Sequence, residues 1–215
     1  MKDLIKQKSW FFVPFVFLVV LAARILFIIP KDQLHLIMNS FHTGFFDHFF
    51  TIVTWMGDGL FVLLLCVALL FFSFRLSAYL ITTYALTGLF VQLMKRFFFE
   101  DMLRPAGYFR ETAQLYLVEG VKIYYHHSFP SGHAATAFGL FLGLALAVKN
   151  KALQLMFLVM ASVIAYSRVY LSQHFFVDVF VGSFIGITGA LALFPYFYRK
   201  DKKWHKLSLL SLIKK

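Results

Sequence analysis

Apolar residues in this chain come in long unbroken runs, and polar residues gather between the runs rather than alternating with them. Six runs have the length and apolarity to cross a hydrocarbon core as helices: residues 10–29, 60–74, 76–94, 132–148, 152–170 and 175–198. The second is short, and its start extends back through residues 50–56. Residues 31–59 interleave aromatics and histidines with polar side chains, which predicts an interfacial helical segment between spans one and two. No repeat, low-complexity tract or linker interrupts the pattern. The expected fold is an all-α bundle of six transmembrane helices forming one domain, residues 1–215.

Composition agrees with lipid as the main solvent. Hydrophobic residues make up 60% of the chain and charged residues 14%, with a mean hydropathy of +0.76; soluble domains carry about 25% charged residues. The single cysteine, Cys66, lies in an apolar run and excludes an intrachain disulfide. A net charge of +11 fits nucleic acid or anionic lipid. The cations flank apolar spans instead of forming a stripe, so nucleic acid is excluded as a partner. The first run follows Lys2, Lys6 and Lys8 as a signal peptide would, but its length reads as an uncleaved span.

The basic residues are unevenly divided between the two ends of these spans. One side receives thirteen: Lys2, Lys6, Lys8, Arg75, Lys149, Lys151, Arg199, Lys200, Lys202, Lys203, Lys206, Lys214 and Lys215. The other receives seven: Lys31, Lys95, Arg96, Arg104, Arg110, Lys122 and Arg168. Positive charge favours the cytoplasm. A multi-pass protein of the inner (cytoplasmic) membrane is therefore expected, with both termini in the cytoplasm and the longest loop, residues 95–130, facing outward or into a periplasm.

Three pieces on that outer face carry chemistry. Lys95, Arg96, Arg104 and Pro105 follow the third span, Pro130-Ser131-Gly132-His133 precedes the fourth, and Ser167-Arg168 with His174 and Asp178 bridges the fifth and sixth. Arginine matches phosphate oxygens with a planar fork and lysine adds a point charge. Ser131 and Gly132 open a helix, whose free N–H groups and dipole favour an anion. His174 and Asp178 share a helix face, so the carboxylate can hold one ring nitrogen and leave the other as nucleophile. His133 can protonate a leaving oxygen. Taken singly, cations at span ends are usually anchors; Asp178, in the first turn of a span, is costly without a partner or a purpose.

Together these pieces resemble the type 2 phosphatidic acid phosphatase (PAP2) superfamily, whose pattern is Lys-x6-Arg-Pro, Pro-Ser-Gly-His and Ser-Arg-x5-His-x3-Asp. The second and third motifs match in full, and Arg104-Pro105 matches the end of the first. Phe97 stands where the first motif places lysine; Lys95 is the expected substitute and Arg96 the alternative. The resemblance implies His174 as a nucleophile forming a phosphohistidine, Asp178 as its orienter and His133 as general acid. It implies Lys95, Arg104, Ser131, Gly132 and Arg168 as phosphate ligands, with no metal or organic cofactor.

The expected activity is hydrolysis of a lipid phosphate or diphosphate, of the phosphatidic acid, phosphatidylglycerophosphate, undecaprenyl diphosphate or lipid A type. A phosphotransferase using the same site and a non-catalytic phosphate-binding membrane protein are the alternatives. Partners are limited to the lipid phosphate and membrane lipids; no protein partner is evident. Tyr108, Phe109, Tyr116, Tyr124 and Tyr125 in the long loop are placed to ease a lipid's approach.

Overall fold

The computed structural model describes residues 2–213, and its regular structure there is helical. In chain order the helices are α1 (Lys2–Gln7), α2 (Ser9–Ile28), α3 (Lys31–Asn39), α4 (Gly44–Val53), α5 (Gly59–Leu70), α6 (Phe74–Phe97), α7 (Pro105–Tyr108), α8 (Gly132–Ala147), α9 (Lys151–Tyr170), α10 (Phe176–Tyr198) and α11 (Leu209–Ile213). Lys214 and Lys215, counted among the tail cations, lie outside the described residues.

Polar residues start these helices where the sequence breaks its apolar runs. The side chains of Thr43, Asp58, Ser73, Ser131 and Asn150 each accept a backbone N–H in the first turn of α4, α5, α6, α8 and α9. Such caps satisfy donors that lipid cannot. The Asp58 cap has a further effect: α4 and a short 3-10 turn, Thr54–Gly57, meet α5 at a bend of 59°. The expected interfacial segment is thus two helices, and the second runs through the bend into α5.

Four helices among the described residues, α2, α6, α9 and α10, have the length and apolarity to cross a membrane, and the bent pair makes up to five. Helix α8, at 16 residues, is shorter. It is also the most enclosed, burying residues all round its circumference against α6, α9 and α10. Its contact with α10 is backbone to backbone. A methyl group on Gly186 would lie 2.3 Å from the Ala135 carbonyl oxygen and 2.7 Å from the Gly139 nitrogen, and one on Gly182 would lie 2.5 Å from the Ser131 oxygen. Small residues four apart permit this approach in lipid. It brings the start of α8 against the start of α10, where the Ser131 N–H bonds the Asp178 carbonyl at 3.0 Å.

At the opposite end of the bundle, the Lys8 ammonium caps the Val148 carbonyl at the end of α8, and Arg75 pairs with Asp201. Phe74 N–H bonds the Leu207 carbonyl there at 3.1 Å. Residues 7–8 and the segment after α10 therefore share one end, and the three motifs share the other.

Candidate active site

The last turn of α6, the first turn of α8, the end of α9 and the first turn of α10 converge on a buried polar cluster. Asp178 is its anchor. One carboxylate oxygen, Oδ2, lies 3.3 Å from His174 Nδ1, accepts the Phe175 N–H at 3.0 Å and accepts the Ser128 hydroxyl. Both partners of the His–Asp pair are nearly sealed, His174 at 2% and Asp178 at 3% exposure. With Nδ1 committed to the carboxylate, the lone pair of the neutral ring is on Nε2. Burial holds His174 well below the usual imidazole range, and the charges of Arg104, Lys95, Arg168 and neighbouring His133 push the same way.

Three cations surround this imidazole. Lys95 is buried, its ammonium 2.8 Å from the His127 carbonyl. Arg104 donates Nε to the His126 carbonyl at 2.9 Å and Nη1 to the Gln173 carbonyl at 3.0 Å, and its guanidinium lies 5.1 Å from the Tyr124 ring centroid. Burial draws Arg104 below its ordinary value, opposed by the charge of Asp178. Arg168 donates Nη1 to Thr54 Oγ1 at 2.6 Å while its Nε, also buried, has no protein partner. Among the described residues none of the three is paired with a carboxylate. Lys95 and Arg168 are buried and Arg104 is half-buried, and cations withdrawn from water in this way without counter-ions are costly unless an anion completes the cluster.

All eight residues singled out from the sequence lie at this end of the bundle. Ser131 caps α8 by accepting the Ala134 N–H, and Gly132 comes next on the chain. His133, half-buried in the same turn, lies against the α4–α5 bend: a methyl group on Gly57 would be 3.2 Å from its Cδ2. Of the two first-motif candidates, Lys95 is buried beside the other cations and Arg96 is exposed. The extra loop length is taken up by a turn in which Met102 N–H bonds the Phe99 carbonyl at 3.3 Å.

Sequence patterning missed Thr54, Ser128 and Gln173. Gln173 lies inside the third motif's spacer, where it accepts from Arg104 at 3.4 Å and ties itself to the Lys122 carbonyl at 2.9 Å. The aromatic loop behaves only partly as expected. Tyr108, Tyr116, Tyr124 and Tyr125 are exposed, but Phe109 is buried against His35 and Phe175. Glu111 and Glu119 are exposed.

The PAP2 superfamily sequence model matches residues 76–202. A lipid A 4'-phosphatase of Bacteroides thetaiotaomicron is 28% identical over 161 residues, covering 72% of this chain and 71% of that protein. The crystal structure of Aquifex aeolicus LpxE is 29% identical, with a TM-score of 0.68 over 76% of this chain and 94% of that one. The fold is also that of a transmembrane PAP2-type phosphatidylglycerolphosphate phosphatase from Bacillus subtilis, at 22% identity and a TM-score of 0.63 over 93% of this chain and 99% of that one.

Proposed function

The chain belongs to the PAP2 superfamily, and from that premise we propose that it removes a phosphate monoester from a lipid through a phosphohistidine on His174. It is a multi-pass membrane protein and a phosphoric ester hydrolase of the lipid phosphatase kind. The observation that carries the finer reading is the cluster of buried Lys95 and Arg168 with half-buried Arg104, none paired with a carboxylate among the described residues, around an imidazole that Asp178 holds by Nδ1.

In this mechanism the three cations and the N–H groups at the start of α8 take the non-bridging phosphate oxygens. His174 Nε2 attacks phosphorus with its lone pair. The bond from phosphorus to the lipid oxygen breaks as His133 donates its proton to that oxygen, and the lipid alcohol leaves. His133, now neutral, takes a proton from water, whose oxygen attacks the phosphohistidine. The phosphorus–nitrogen bond breaks, the electron pair returns to Nε2, and inorganic phosphate is released. Charge neutralisation and alignment supply most of such catalysis.

We read the whole chain as one domain whose helices α2, α5, α6, α8, α9 and α10 pass alternately between the two ends, with α4 and the bend lengthening the α5 passage. That is a six-crossing reading, and the contacts at the two ends of the bundle support it. The thirteen-to-seven division of cations supports termini in the cytoplasm and a site reached from the outer leaflet of the inner membrane. The likeness to a lipid A 4'-phosphatase favours a phosphate borne on a sugar headgroup of the lipid A type.

The test is phosphate release in detergent from lipid A, phosphatidic acid, phosphatidylglycerophosphate and undecaprenyl diphosphate, by wild type and by His174→Ala. The expected result is release from lipid A ahead of the others, abolished in the variant. Release from soluble esters alone would refute the lipid reading.

A further inference from the structure

Four residues, 171–174, turn the chain from the end of α9 into α10 and deliver His174. Within that turn Gln173 N–H and His174 N–H both bond the Arg168 carbonyl, at 2.9 and 3.0 Å. Ser172 takes φ +52°, the left-handed region in which a side chain is strained. Glycine would adopt this conformation freely. What serine brings instead is a hydroxyl, and that hydroxyl is buried.

Both of its partners come from α3. Asn39 Nδ2 donates to Ser172 Oγ at 3.1 Å, and His35 Nε2 lies 3.2 Å from the same oxygen. A hydroxyl has one proton to give. With Asn39 donating, that proton goes to His35 Nε2, which accepts it as a neutral imidazole. Burial, aided by the charge of His42, pushes the His35 pKa down to about 4 and keeps the ring neutral. The other ring nitrogen, Nδ1, is buried without a partner. The ring is fixed by Phe109 and by Phe175, the residue after His174, at centroid distances of 5.9 and 5.3 Å. Asn39 is fixed in turn by Tyr116, donating to its carbonyl at 2.9 Å and accepting from its N–H at 2.8 Å. The chain of contacts thus runs from the long outer loop through α3 to the turn that carries His174.

We propose that His35 and Asn39 are positioning residues, which act through the Ser172 hydroxyl to hold the left-handed turn that aims His174 at phosphorus. The proposal rests on His174 being the nucleophile. Helix α3 is therefore a brace for catalysis as well as a segment at the membrane surface.

The decisive variant is Ser172→Gly, because it relieves backbone strain while deleting the hydroxyl. The brace predicts an unchanged or raised Tm in detergent with kcat lowered about tenfold and KM little altered, since small misplacements of a reacting group cost rate rather than affinity. His35→Leu should lower kcat similarly, and His35→Gln, whose amide oxygen can accept the serine proton, should restore most of it. Wild-type kcat in a well-folded Ser172→Gly overturns the brace and leaves the nucleophile reading standing. Turnover retained by a folded His174→Ala, run alongside, overturns the nucleophile reading and with it the proposed target of the brace.

Discussion

Among single residues, Asp178 has the most to explain, because a carboxylate at 3% exposure is held there by a histidine, a serine and a backbone N–H. Removing the serine donor leaves Asp178 less well oriented, so Ser128→Ala should lower kcat by roughly ten- to a hundredfold with the fold retained. A steady-state comparison on one lipid phosphate would check it. Lys95→Ala should cost on the order of a hundredfold in kcat, as loss of one charge-stabilising donor does, and Arg96→Ala little. A reversed ranking would move the first-motif role to Arg96. The motifs made the two histidines, Asp178 and the arginines legible because their spacing is short and fixed. Ser128, Gln173 and Thr54 were not legible, since each meets its partner across 50, 69 and 114 positions of sequence. The buried histidines also set an acid limit to stability. His35 folds with a pKa of about 4 against an ordinary 6.5, so its neutral burial contributes fully above pH 6.5 and is lost as pH falls toward 4. That difference is worth up to about 3 kcal/mol. Tm measured across this window should fall in wild type and fall less in His35→Gln.

The helices themselves were readable as apolar runs, and their observed bounds differ from the expected ones by at most four residues at either end. What the runs did not contain was the bend before α5, which arises because Asp58 turns its side chain onto the Leu60 N–H and ends the preceding helix. Nor did they show which helix would be central. Helix α8 earns that place through Gly139 and the partner glycines of α10. A side chain at Gly186 must displace the α8 backbone, so Gly186→Ala should lower stability by about 3 kcal/mol or more and reduce activity with it. Gly88→Ala, on α6, meets nothing within 4 Å and should leave Tm unchanged or raise it. Thermal unfolding of both variants in one detergent makes the comparison.

For the molecule as a whole, family and fold class were legible from three motifs and the apolar runs, whereas crossings and sidedness depend on a membrane. Gln114 and Lys149 are exposed at opposite ends, and Lys149 avoids disturbing the Asn150 cap of α9. With Cys66 replaced by alanine, a membrane-impermeant thiol reagent on intact cells should label cysteine at position 114 and spare one at 149. The opposite pattern would place the site in the cytoplasm. The central claim is that phosphate passes through His174, and it is tested most directly by trapping the phosphoenzyme. His133→Ala should still accept phosphate from an activated aryl ester, which needs no general acid, but should release it slowly for want of a base. Rapid quenching should then give a burst of one equivalent of phenol and an acid-labile phosphate that mass spectrometry maps to His174. Phosphate on another residue, or a burst that survives His174→Ala in the same background, would contradict the mechanism.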